Sequence, residues 1–262
     1  MEKEPATPGL LLHVPFQDSV QARLARGDAG GTVDPKGEPP VFRTDEARSG
    51  AYFGRNTCVH YGTAGNFNRT EGTVTLWFKP DWSADFDDTS GRVLWDVRIE
   101  EGSVVPDDPS QRWALVYPNP IRGKQNPETV HRWRFCVATN RNRLIIGTDK
   151  PRPDKRTRQA VWGSPQSFPA GQWMHLAVSW NAESGAIYVN GREDARAPLP
   201  EGLPWRRLPE TLQVGALESW INAGPCGVIA DFRVFGHALS GEEIRLTGQR
   251  TQGDPYPQPA AG

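Results

Sequence analysis

Residues 171–191 read GQWMHLAVSWNAESGAIYVNG. Across residues 173–180 the side chains alternate: Met174, Leu176, Val178 and Trp180 fall on one face, and Trp173, His175, Ala177 and Ser179 on the other. A period of two is that of a pleated strand, and the first set should face a core. Asn181, Glu183, Ser184 and Gly185 then offer polar and glycine residues suited to a turn, after which residues 186–189 resume extended, β-rich chain. Asn190-Gly191 has the positive-φ tolerance that a tight hairpin turn requires. The stretch therefore reads as two antiparallel strands with a turn at each end.

Working outward, comparable strand segments recur at residues 10–14, 52–53, 73–79, 92–97, 113–117, 133–138, 144–147, 211–215 and 228–235. Helical periodicity is nearly absent. The exception comes late, where Ser240 stands three residues before Glu243 in a capping-box arrangement, followed by Ile244 and Leu246. The 262 residues include 10 Trp and 10 Phe, bulky material for the interior of one large sandwich, so a second domain is not required. The 27 Gly and 24 Pro are scattered rather than periodic, as many turns and long loops demand. Long connections are expected at residues 80–91, 98–112, 118–131 and 148–170. Loops of that length in a compact domain commonly bind or cover something.

The 30 Lys and Arg nearly balance the 31 Asp and Glu, so no global field recommends nucleic acid or an anionic membrane as partner. No apolar run reaches membrane-spanning length, which argues against membrane insertion. The opening residues, MEKEPATPGL, lack an apolar signal core, leaving a cytosolic protein or one whose signal was removed earlier. Cys58, Cys136 and Cys226 have no CxxC spacing, which speaks against a thiolate zinc site; one disulfide with an odd thiol competes with three buried thiols.

Several pieces in succession carry a family resemblance: Gly-Thr-Val-Thr-Leu-Trp-Phe-Lys-Pro (72–80), the hairpin with Trp173, His175 and Val189-Asn190-Gly191, residues 212–215, and IADFRVF (229–235) followed by ALSGEEI (238–244). Their order resembles the laminin-G-like, concanavalin A-like lectin/glucanase superfamily over roughly residues 10–247. The resemblance implies an all-β jelly-roll sandwich of two antiparallel sheets, closed by pairing of the first and last strands, with one short C-terminal helix. Residues 1–9 are then an N-terminal extension, 10–247 the domain, and 248–262 a tail or linker, consistent with a place in a larger multidomain protein. The fold hosts lectins, adhesion domains, hydrolases and lyases alike, so it does not decide the chemistry.

Sugar recognition needs flat aromatic faces beside planar polar groups. Trp82, Trp162, Trp205 and Trp220 lie in loop-like contexts near Asp85, Arg158, Arg206 and Asn222, and each could equally pack a loop onto the sandwich. With Arg158, these four tryptophans are the expected ligand-binding residues. Trp77, Trp133, Trp173 and Trp180 sit in strand patterns and are expected to be core or sheet-covering. The basic segment from Arg141 to Arg158 could meet sulfate or carboxylate groups of an acidic polysaccharide, against the plainer reading of a solvated loop.

The acidic stretch DWSADFDD places Asp81, Asp85, Asp87 and Asp88 within eight residues, either as oxygen donors for calcium or as a solvated loop. The resemblance further implies a structural calcium at positions matching Asp18 and Asp231, although Gln17 departs from the family pattern. Local capping by Asp231 is the alternative.

A glycosidase of this fold needs two carboxylates across a cleft, and no strand carries such a pair in sequence. The nearest approach to lyase chemistry is HRWRF, with His131, Arg132 and Arg134. No HExxH or GxSxG motif is present. The expectation is a non-catalytic domain, extracellular or cell-surface, that recognises a polysaccharide or glycan through loop aromatics. A hydrolase or lyase on the same fold and a protein-interaction domain are the alternatives.

Overall fold

The computed structural model describes residues 8–45, 48–84, 92–98, 112–117, 132–138, 160–164, 167–199, 208, 210–215 and 224–249. They form two antiparallel sheets packed face to face. The strands are β1 (Leu10–Val14), β2 (Leu24–Ala25), β3 (Thr32–Val33), β4 (Val41–Thr44), β5 (Ser49–Phe53), β6 (Cys58–Gly62), β7 (Gly72–Pro80) and β8 (Arg92–Arg98). They continue with β9 (Arg112–Tyr117), β10 (Arg134–Ala138), β11 (Ala160–Trp162), β12 (Met174–Trp180), β13 (Ser184–Val189), β14 (Arg192–Pro198), β15 (Thr211–Gly215) and β16 (Gly227–Phe235), before helix α1 (Gly241–Gln249). The first sheet runs β14-β13-β12-β7-β16-β1-β2, with β5 also on β16 and β4 on β5; the second runs β11-β10-β9-β8-β15-β6-β3. The expected segment 144–147 lies outside the described residues.

The hairpin of residues 171–191 forms as its residues dictate. Val189 pairs with Arg192 across a two-residue turn in which Asn190 and Gly191 have φ of 51° and 75°. Both central residues with positive φ match the twist of the flanking strands. At the other end, the Asn181 side chain accepts from the amides of Glu183 and Ser184, an Asx turn that returns the chain to β13.

Met174, Leu176, Val178 and Trp180 enter the core between the sheets, where they meet Val97, Leu115, Phe135 and Leu212 of the opposite sheet. Their alternates are buried as well, because the first sheet has a second, smaller apolar layer on its outer side. There Ile244 of α1 packs with Leu239, Ala177, Ala186, Tyr188, Leu10 and Phe235. The capping box anticipated at Ser240 forms, with the Ser240 amide donating to Glu243 Oε2 (2.7 Å) and the Glu243 amide to Ser240 Oγ (3.3 Å). Glu242 and Glu243 in the first turn also complement the helix dipole.

β1 and β16, the first and last major strands, pair antiparallel, with His13 opposite Arg233 and Val14 opposite Phe232. On its other side β16 pairs with β7, and the register slips between Ala230 and Arg233. Ile229, Phe232 and Val234 all reach the core, which strict alternation forbids. One extra residue resolves the conflict: Asp231 adopts φ 55° within the bulge and stays on the outer side with Arg233. Its buried Oδ1 lies 2.8 Å from both His13 Nε2 and Arg233 Nη2. Burial by itself would raise the Asp231 pKa, but Arg233 and His13 hold the carboxyl far below its usual range.

Beside this cluster, under α1, His175 is buried with Nε2 3.4 Å from Thr247 Oγ1. Burial, with help from Arg233 and Arg48, pushes its pKa from 6.5 down to about 3, so the ring is neutral at physiological pH. Cys58 and Cys226 are buried.

Two outcomes follow for stability. A folded-state pKa below the unfolded value stabilises above the unfolded value and loses that contribution as pH falls. The melting temperature should therefore be level above about pH 7 and decline from about 6.5 towards 3 as His175 is forced to charge. Asp231 adds a further loss below about 3.8. Calorimetry across pH should show a shallower slope between 6.5 and 4 for His175→Gln. Asp231→Asn, which leaves the buried Arg233 guanidinium uncompensated, should cost about 3–5 kcal/mol in denaturant titration at pH 7.

Candidate functional site

A cleft of about 220 Å³ opens on the outer face of the first sheet, beyond the area covered by α1. It is smaller than the roughly 300–1,000 Å³ of drug-sized pockets and has the scale of a single sugar ring. Its floor is where three strands come into line: Val228 of β16 stands opposite Lys79 of β7 on one side and Tyr52 of β5 on the other. At Gly227 the strands approach so closely that a β-carbon would sit 2.6 Å from the Lys79 carbonyl oxygen and 2.7 Å from the Phe78 ring. One wall is the β4–β5 hairpin, whose turn is tied by the Arg48 amide donating to Asp45 Oδ1 (2.9 Å). The other is Trp173, the residue immediately before β12.

The polar groups are fixed by one another. Asp45 Oδ2 accepts from Lys79 Nζ (2.6 Å) and from the Trp173 indole Nε1 (2.9 Å). One carboxylate on the hairpin thus orients an indole and an ammonium presented by two other strands. Tyr52 donates its hydroxyl to Asp81 Oδ2 (2.8 Å). Burial first, and then Asp81, push the Tyr52 phenol up to about 12, so it serves as a donor and not as a base near neutral pH. Arg43 lies with its guanidinium carbon 4.0 Å above the Tyr52 ring, and Arg48 at the same distance above Trp77. The cleft therefore offers a part-exposed indole, with Lys79 Nζ 5.9 Å from its ring centre, among fixed donors and acceptors, the chemistry for holding a polyol ring.

The residues anticipated from sequence fare differently. Trp82 is not a ligand platform: it is buried, packs 5.0 Å from Tyr117 and 5.4 Å from Phe168 between ring centroids, and donates Nε1 to the Pro225 carbonyl (2.8 Å). Its apolar rings close one end of the core. Trp162 ends β11, opposite Arg134, and its side chain lies outside the described residues, as do Trp205, Trp220 and Arg158. Asp85, Asp87 and Asp88 lie outside too, whereas Asp81 lines the cleft.

Asp18 is exposed after β1, while Asp231 is buried against His13 and Arg233. A hard cation wants several converging oxygens, and the surroundings of Asp231 are cationic instead, so the residues present there do not fit calcium. Among the described residues no group of three His, Cys, Asp or Glu side chains could hold a metal ion.

The cleft residues that the sequence reading passed over are Arg43, Asp45, Arg48, Tyr52, Lys79 and Trp173. Trp173 carried a usable signal, since it shares the parity of His175 and not that of the core residues. The contact of β4–β5 with β7 and β12 has no local signature.

The fold is a jelly-roll sandwich with a small polar and aromatic cleft on one outer face. The family model for the concanavalin A-like lectin/glucanases superfamily matches residues 103–245, and the chain belongs to that superfamily. No curated protein sequence matches the chain. Among solved structures, domain 4 of AbnA, a GH43 extracellular arabinanase from Geobacillus stearothermophilus, in complex with arabinotriose, is similar with TM-score 0.55 and 16% identity, covering 94% of this chain and 100% of that one. The binding domain of Botulinum neurotoxin DC in complex with SialylT is similar with TM-score 0.59 and 13% identity, covering 92% of this chain and 50% of that one. The Botulinum neurotoxin serotype D ligand binding domain in complex with N-acetylneuraminic acid gives 0.58 and 13%, over the same shares. The chain spans about half the length of the neurotoxin domains.

The two tryptophans make a direct contrast. Trp82→Ala should destabilise the fold by about 3–5 kcal/mol, as removal of a buried indole does. Trp173→Ala, at the rim, should cost under about 1.5 kcal/mol in the same denaturant titration.

Proposed function

We propose that this domain is a glycan-recognition module that acts by binding and not by catalysis, holding one sugar residue in the cleft against Trp173. The observation that carries the reading is the fixed indole: Asp45 accepts from Trp173 Nε1 and from Lys79, whose Nζ lies 5.9 Å from the centre of the indole, and Tyr52 and Asp81 line the same cleft as a bonded pair. A rigid aromatic face with preset polar neighbours binds a pyranose at little ordering cost. Both carboxylates of the cleft already accept hydrogen bonds from the scaffold, which suits positioning better than proton transfer. The complexes of AbnA domain 4 with arabinotriose and of the neurotoxin binding domain with SialylT are in keeping with this use of the fold.

The aromatic platform in this reading is Trp173, in place of the loop tryptophan Trp82. An extracellular or cell-surface setting within a larger protein accompanies the proposal, since polysaccharide is met there. Calcium has no part in it, given the cationic surroundings of Asp231.

A glycan array followed by titration calorimetry on the best ligand tests this. Wild type should bind without releasing product, and EDTA should leave the affinity unchanged. Trp173→Ala should weaken binding about thirtyfold, or roughly 2 kcal/mol, as truncation of a central aromatic contact does. Product formation, or full affinity in Trp173→Ala, would refute the reading.

A further inference from the structure

The charges of the cleft do not cancel evenly. Lys79 is compensated by Asp45, whose two oxygens already serve Lys79, Trp173 and the Arg48 amide. Asp81 accepts from Tyr52. Two guanidiniums remain, those of Arg43 and Arg48, and among the described residues neither makes an ion pair with a carboxylate. Asp231, the next acid behind Arg48, is engaged by His13 and Arg233.

Each guanidinium lies against an aromatic ring at 4.0 Å, Arg43 on Tyr52 and Arg48 on Trp77. A guanidinium stacked by its face keeps the N–H groups of its edge for an acceptor, in the planar fork that matches a carboxylate or a sulfate. Arg48 Nη1 is moreover shielded from solvent and has no hydrogen-bond partner. A buried donor left unpaired is costly, and an anion that the Arg48 guanidinium turned to meet would remove that cost. Arg43, by contrast, is exposed at the rim, placed to meet an anion as it arrives.

We propose that the cleft selects an acidic sugar, its carboxylate or sulfate taken by Arg48 and Arg43 while its ring rests on Trp173. This rests on the glycan-binding reading above and adds the class of ligand. A neutral sugar could rest on the Trp173 ring but would leave the Arg48 donor as it is, so discrimination lies in the two arginines. The neutral Lys79–Asp45 pair holds the indole and contributes little to the choice.

The test uses the full chain and matched pairs of glycans: oligouronates beside their carboxyl-reduced forms, sialylated beside desialylated, and sulfated beside desulfated oligosaccharides. In at least one pair the acidic member should bind about tenfold or more tightly, and raising ionic strength from about 0.05 to 0.5 M should narrow that gap. Arg48→Gln and, separately, the exposed Arg43→Gln should lower acidic binding several-fold more than neutral binding and so close the gap between the members of a pair. Trp173→Ala should weaken both members alike. Thermal melts confirm that each variant is folded, and Arg43→Gln decides the matter if Arg48→Gln is not. The pair that shows the preference identifies carboxylate or sulfate as the anion. Equal or better binding of the neutral member in every pair, or a preference that survives both arginine substitutions, overturns the inference and leaves glycan binding standing. Absence of binding to every glycan overturns both.

Discussion

The buried carboxylate of Asp231, shared between His13 of the first strand and Arg233 of the last, is the interaction on which the rest of the structure depends. It sits in a bulge that reverses the facing of β16 halfway along, so that Ile229 on one side and Phe232 and Val234 on the other all reach the core. Without the extra residue, one half of the strand would turn its apolar side chains outward. Strand β16 is also the neighbour of β7, β1 and β5. Fixing its register therefore fixes closure of the sandwich and the position of the β4–β5 hairpin, which becomes a wall of the cleft. The left-handed backbone at Asp231 is a local strain that the ion pair and the two flanking strands hold in place.

The outer face of the first sheet is divided by chemistry. Toward β13, small and apolar residues such as Ala177 and Ala186 admit α1, and His175 is neutral beneath it. Toward β4 the same face carries Trp173, Lys79 and Tyr52, and among the described residues no helix covers it. The helix ends near His175, where Gly248 approaches the ring closely enough that a β-carbon would clash. Cover and cleft are thus two ends of one strand surface, and the boundary between them is the row containing His175, Trp77 and Asp231.

Much of this was legible in the sequence, and the reasons differ by element. The 171–191 hairpin, the capping box at Ser240 and the pairing of first with last strand were readable because each rests on a short pattern with a local physical cause or on the family's strand order. Short edge strands such as β2, β3 and β11 carry too few residues for a period to show. The bulge was visible only as a conflict, since IADFRVF cannot alternate cleanly and still bury Ile229 with Phe232. The cleft was not legible: Arg43, Asp45, Tyr52, Lys79 and Trp173 come from four separated strand regions, and only the fold brings them together. Trp82 misled because a tryptophan beside acidic residues looks like a loop platform, while its burial depends on Tyr117, Trp133 and Phe168, all far away in sequence.

The central claim is that a glycan rests on Trp173. Ten tryptophans give ten indole N–H signals, each a separate reporter in a nitrogen-labelled sample. On titration with the ligand chosen by the array, the Trp173 signal should move progressively and saturate, because its N–H is bonded to Asp45 at the wall of the cleft. The Trp82 signal, held on the Pro225 carbonyl in the core, should stay in place. Saturating shifts at Trp205 or Trp220 with Trp173 unmoved would contradict the account and transfer the site to the loops.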